Sequence, residues 1–494
     1  MDDSSRTAFY CICSAGNLKL TISEHFRLER RTFLKLAVLT SGLTAAGYLA
    51  TDLMQVANTS VQSLTGSLDA DPSASMNPDW QIPHLLRRAG FGGPPDEIAA
   101  YQNLGLSGAI DQLVNYQSID DSSLPAEPNI TMERTKKLSP SDTQKLVWWW
   151  VDRMVNTPRP LEERLTLFWH NHFATAIYKV RSPYLMFKQN QLLRTNAAGN
   201  FRDLLMGITK DPAMLIWLDG AKNRAAAPNE NYGREVMEVF TIGVGNYTED
   251  DVKAAARAFT GYQINKSGES FFNPKVHDDG PKTFLGQTGN FGPEDIVNIL
   301  ANHPATAKRI ASELFSYLSY SNPSSEVVNN LGSVFTNSNG NIGAVVEAIL
   351  KSDEFMSNQA HLSLVKSPVD YVVTALRSLG ATVKPRVVIG TLKNMGQLPF
   401  NPPSVFGWPE GIGWINTSTI LDRYNFPLAI DPSSVQAVQD GASTSDVAQV
   451  LFPEGLPSDV LQVIQNSSNS LNNPTAQLRD MIRLTMSTPY YNLN

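Results

Sequence analysis

Residues 228–262 read PNENYGREVMEVFTIGVGNYTEDDVKAAARAFTGY, and this stretch sets the structural class. Val236, Val239 and Phe240 recur at helical spacing, which predicts a helix over 234–241. Asn231 is a natural N-cap for it, and Gly243 or Gly245 a natural stop. Thr248 followed three places later by Asp251, just before Val252, is a capping-box pattern that starts a second helix over 248–260.

The same recurrence extends outward through most of the chain. It predicts helices over 82–89, 96–102, 107–116, 142–156, 161–170, 183–195 and 201–209. Further ones fall at 293–301, 305–319, 342–352, 368–379 and 475–486. Pro160, Pro293 and Pro304 stand where a first helical turn tolerates proline. Strand signal is confined to 261–274, where Tyr262, Ile264, Phe271 and Phe272 flank a Lys266-Ser267-Gly268 turn and predict one hairpin. The expected fold is mainly α: a multi-helical globular body with one small β-hairpin. Its length admits two packed helical lobes, with a Ser/Asn/Pro seam at 319–325.

Three regions are expected. Residues 1–50 form an N-terminal extension and a twin-arginine-type export signal, 51–79 a flexible Ser/Asn/Asp-rich leader, and 80–490 the helical domain. The signal reading rests on Arg30, Arg31, Phe33, Leu34 and Lys35 ahead of a short apolar run, too short and too diluted by Thr, Ser and Gly for a permanent span. It implies an exported protein, periplasmic or extracellular, that folds before transport. Glu29 departs from the usual pattern, as does the length of chain before Arg30.

Of 494 residues, 40 are Lys or Arg and 47 Asp or Glu, a net charge of −7. Without residues 1–50, which hold six basic and four acidic residues, 34 and 43 remain, a net of −9. With no basic run interleaved with aromatics, nucleic acid is not an expected partner. Cys11 and Cys13 both precede the arginine pair, so the body has no disulfide, thiolate ligand or cysteine nucleophile. No Gly-x-Ser-x-Gly elbow, His-Glu-x-x-His pair or phosphate-binding glycine loop is present.

Four constellations carry candidate chemistry. In Phe168-Trp169-His170-Asn171-His172-Phe173, two imidazoles are candidate metal ligands or an acid–base pair. They point about 200° apart on a continuous helix and converge only if the helix ends there, the alternative being one core and one surface histidine. Glu235 and Glu238, at i and i+3 with Arg234 beside them, are candidates for cation binding or general acid–base work. The alternative is that Arg234 and Arg257 hold them in ion pairs. His277-Asp278-Asp279-Gly280 presents an imidazole and carboxylates on an irregular loop, or a plain polar turn. The loop Pro402–Asn416, with Trp408 and Trp414, either lines a binding surface or plugs the core between helices. His84, His303 and His361 stand alone and read as structural.

Taken together, HLLRRAGFG from residue 84, FWHNHFAT from 168, the 228–262 stretch, HDDGPKTFLGQTGNF from 277, HPATAKRIASELF from 303 and PPSVFGWPEGIGWIN from 402 resemble the bacterial domain-of-unknown-function family 1800. The resemblance covers about residues 80 to 490. It implies a mainly helical exported protein, commonly encoded beside a sulfatase-like secreted partner, and it assigns no catalytic residues. From the residues themselves, two readings remain open. One is an exported metal-dependent enzyme, with a divalent transition metal on His170, His172, Glu235 and His277 and with Glu235, Glu238, Arg234 and Asp278 as catalytic groups. The other is a non-catalytic binding or assembly protein, acting with the sulfatase-like partner on surface polysaccharide. Replacing Arg30 and Arg31 together by lysine should leave the precursor in the cytoplasm, as cell fractionation would reveal.

Overall fold

The computed structural model describes residues 80–132, 138–441 and 443–494. The expected signal and leader at 1–79 lie outside the described residues. Among those described are 22 helices and two small antiparallel hairpins. None of these helices is long and apolar enough to cross a membrane.

The first helices are α1 (Gln81–Ala89), α2 (Pro95–Val114, broken at Gly105), α3 (Pro140–Asn156), α4 (Pro160–His172), α5 (Pro183–Thr195) and α6 (Phe201–Lys210). Then come α7 (Glu230–Glu238) and α8 (Glu249–Ala258), the pair read from 228–262. The capping box is present: Thr248 Oγ1 accepts the Asp251 N–H, and the Thr248 N–H donates to Asp251. Gly233 lets α7 lie close on α8, because a Cβ there would meet Ala256 N at 3.1 Å.

Two hairpins follow, where one was expected. Strands β1 (Tyr262–Ile264) and β2 (Ser270–Phe272) pair Tyr262 with Phe272, as the aromatic pattern predicts. Residues 282–289, where no strand was expected, form a second hairpin, β3 (Lys282–Phe284) with β4 (Gln287–Gly289). Its turn, Leu285-Gly286, has both φ values positive, the conformation that suits a two-residue hairpin. Asp251 ties this hairpin to α8 by accepting the Leu285 N–H at 2.7 Å.

The remaining scaffold needed below is α9 (Pro293–Ala301), α10 (Pro304–Leu318), α11 (Ser325–Asn337), α12 (Ile342–Leu350) and α13 (Pro368–Leu379); a helix at Pro385–Asn394 and an irregular stretch then lead to α14 (Thr417–Asn425), and further short helices to α15 (Pro474–Ser487). Buried apolar side chains from Ile82 to Leu493 make one continuous core rather than two lobes. The seam at 319–325 does not divide it, since α10 packs along α11 across that turn and Ser363 donates to the Ser319 carbonyl.

Helix α4 lies at the centre. Every residue from Pro160 to His170 is buried, including Glu162, Glu163, Arg164 and Thr166. A buried charge survives only with partners. Glu163 takes the Trp150 indole N–H at 2.9 Å, Arg194 at 2.7 and 2.9 Å, and Arg153. Arg164 pairs with Asp370 of α13. Burial alone would raise the Glu163 carboxyl, but Arg194 and Arg153 hold it below its ordinary value. Stability linked to Glu163 is therefore present above the unfolded-state pKa and is lost as pH falls through the lower folded value. Glu163→Gln should destabilise the protein by about 3–5 kcal/mol at neutral pH. Urea titrations of both proteins should show the gap closing on acidification.

Candidate polar cleft at the end of helix α4

The last turn of α4 carries His170, Asn171 and His172 on three different sides, and each side chain reaches a separate segment. His170 Nε2 accepts the Phe400 N–H at 3.0 Å, with its ring among Trp150, Phe400 and Trp408. Burial pushes this imidazole down to about 3, so it is neutral, as its acceptor role requires. Asn171 Oδ1 accepts the Trp408 N–H at 2.7 Å. Gly407 stands directly against it at φ 78°, where a Cβ would fall 2.2 Å from that oxygen.

His172 faces two acceptors. Its Nε2 lies 3.1 Å from the Phe240 carbonyl, just beyond α7, and its Nδ1 lies 2.8 Å from Glu313 Oε2 of α10. A carbonyl only accepts, so Nε2 carries a proton. Glu313 Oε1 accepts Arg309 Nε at 2.8 Å, and Arg309 Nη1 donates to the Glu238 carbonyl at 2.7 Å. Burial alone would raise the Glu313 carboxyl; His172 and Arg309 hold it below its ordinary value.

Glu410, on the loop Pro402–Asn416, has the opposite balance. Burial raises its carboxyl, and the charge of Glu313 raises it further. Yet Glu410 is exposed, and the Glu313 side chain is one-third exposed. Two carboxyls near the end of α4 are thus pushed in opposite directions, the disposition that separates acid from base.

Other expected residues lie elsewhere in distinct settings. Glu235 and Glu238 share a face of α7, as their spacing predicts. Glu238 accepts the Tyr247 hydroxyl at 2.6 Å, while burial and then Glu238 raise the half-buried Glu235. Arg234 pairs with Glu230 and Glu249 at the surface, not with Glu235 or Glu238. Arg257 grips Asp278 through two bonds, which hold that carboxyl down to about 2. His277 Nδ1 lies 2.8 Å from the Thr260 carbonyl, and buried Lys282 closes the loop on the carbonyls of Asp278 and Gly280. The His277 loop is therefore a bonded structural turn.

The metal set expected from His170, His172, Glu235 and His277 is not assembled. The first two point apart on a helix that continues through His172, and His277 belongs to the hairpin region. Among the described residues no group of three or more His, Cys, Asp and Glu is arranged to hold a metal ion. Trp408 and Trp414 are buried, while Phe406 and Ile412 on the same loop are exposed.

Sequence reasoning passed over Glu313 and Glu410. Glu313 was signalled only by its i, i+4 spacing from Arg309, which reads as an ordinary helix pair. A larger groove of about 1000 Å³ lies between α2, α3 and α13, lined by Glu97, Trp148, Asp152 and Arg377. Arg377 there is consumed by Glu97 and two carbonyls, so size alone recommends that groove and chemistry favours the cleft.

A one-core helical body with a polar cleft at the end of its central helix defines the class. Residues 84–493 match the family described as a protein of unknown function, DUF1800, and the chain belongs to that family. No curated protein and no solved structure matches it. Gly407→Ala should cost about 1–3 kcal/mol through strain and the displaced Asn171, detectable as a lower urea midpoint and faster proteolysis of the 402–416 loop.

Proposed function

We propose that this protein is exported to the bacterial envelope and cleaves glycosidic bonds in a surface polysaccharide, with Glu410 as proton donor and ionised Glu313 as its charged counterpart. What supports the reading is one observation: Glu410 lies in the field of Glu313, whose carboxyl His172 and Arg309 bind, so that the two carboxyls are pushed in opposite directions from their ordinary values. Glycoside cleavage needs that division of labour. A protonated acid serves the leaving oxygen, and a carboxylate stabilises positive charge developing on the sugar. His172 and Arg309 hold Glu313 ionised and fixed in place. Glu235, with its raised carboxyl, is the second proton carrier to compare.

Exposed apolar side chains favour a second, compatible role. Phe406 is 68% exposed, Val244 76% and Ile412 37%. Phe406 and Ile412 flank Trp408 and Glu410 on one loop, and Val244 follows Gly243, which lies against Arg309. A contact with the sulfatase-like secreted partner would cover them.

The test is incubation of the purified protein with envelope polysaccharide fractions, reading new reducing ends. The parent should release them and Glu410→Gln should lose at least about a hundredfold, with helical circular dichroism unchanged. Because Glu410 is raised, activity should persist above the ordinary carboxylate range and fall as alkali removes its proton. A Glu410→Gln variant as active as the parent, or a parent inert on every fraction, defeats the proposal.

A further inference from the structure

Away from the cleft, the junction of α1, α4, α10 and α13 buries more positive charge than it neutralises. Arg87, Arg88, Arg164, Lys366 and Arg423 are each at most 4% exposed. The buried carboxylates beside them are Glu454, which takes Arg87 and His361, and Asp370, which takes Arg164. Five cations against two carboxylates leave a surplus of three. These groups form one neighbourhood. Arg88 feels Arg164, Arg87 and Asp370, and Lys366 feels Arg87, Asp370, Arg423 and Glu454. Burial pushes both Arg88 and Lys366 well down. A lysine can shed its proton under that pressure, but a guanidinium has no such outlet in practice.

Several of these side chains carry unmet donors, Arg88 above all. Its Nε donates to the Leu318 carbonyl at 2.7 Å, while Nη1 and Nη2 find no acceptor in the protein. The next residue, Ser319, is fully buried, and its hydroxyl also meets no partner. Arg87 Nε and Nη2 and Arg164 Nε are likewise unbonded and buried. Leaving a buried donor unmet costs about 1–3 kcal/mol, more for a charged group. Water could satisfy such donors but would bring no countercharge.

We infer that the interior beside Arg88 is a binding site for a small inorganic oxyanion of the sulfate or phosphate class, held by the Arg88 fork and the Ser319 hydroxyl with Arg87 alongside. A planar guanidinium fork suits paired oxyanion atoms, and a serine hydroxyl supplies the third donor. The donors are buried, so the anion enters as the chain folds and acts as a structural countercharge.

The test unfolds the full chain in urea and refolds it in sodium gluconate, whose anion is too large to enter. Labelled sulfate is present in one arm and labelled phosphate in another, at equal ionic strength. The folded protein should retain about one label per chain after desalting in at least one arm, with a higher urea midpoint than in gluconate alone. Arg88→Met, if folded, should retain none. A folded parent that holds no label in either arm, with unchanged midpoints, overturns the site, as does an Arg88→Met variant that retains as much as the parent. If that variant does not fold, the parent's retention decides alone. Neither result bears on Glu410 or on polysaccharide cleavage.

Discussion

Helix α4 sits inside the protein while carrying charged and polar side chains along its whole length, and the need to give each one a partner organises what surrounds it. Glu163 gathers Trp150 and Arg153 of α3 and Arg194 of α5. Arg164 brings in α13 through Asp370. Trp169 donates its indole N–H to the Ala197 carbonyl beyond α5. The last turn then captures Phe400, Trp408, Phe240 and Glu313. An apolar helix would bury as much area yet say little about which neighbour goes where. Here unpaired alternatives carry the desolvation penalty of an isolated charge, so a single arrangement is selected.

The cleft is a by-product of that arrangement. Because His172 must satisfy the Phe240 carbonyl on one side, its other nitrogen is directed at Glu313. Because Asn171 holds Trp408 through the glycine at 407, the loop is pinned so that Glu410 comes within the field of Glu313. Two residues of one chemical type thereby acquire opposite dispositions. Glu313 has Arg309 on one oxygen and the His172 ring on the other, whereas Glu410 has burial and a like charge. Environment, not residue type, divides the roles.

Many helices were legible where a cap accompanied apolar spacing, although α11, capped by Ser324, was passed over. Prolines 160, 293 and 304 open α4, α9 and α10, and the Thr248–Asp251 box opens α8. These signals are local, since each is satisfied within four residues of itself. The second hairpin was not legible. Its strands are three residues long, and its pairing depends on Asp251, thirty-odd places upstream. The His-x-His pair shows the opposite failure. The sequence allowed convergence only if the helix ended at Asn171, and the Phe173 N–H instead continues the ladder to the Trp169 carbonyl.

From the residues alone came the class of fold, the length of the helical body, the family likeness and the segments that matter, because periodicity, capping and motif order are written over short distances. Tertiary structure decided which of those segments' side chains meet. Glu313 is 141 residues from His172 and Asn171 is 237 from the Trp408 amide. Such pairings are set by burial of a central helix most of whose polar groups find partners on distant segments. That is a property of the packed whole, and no window of sequence carries it.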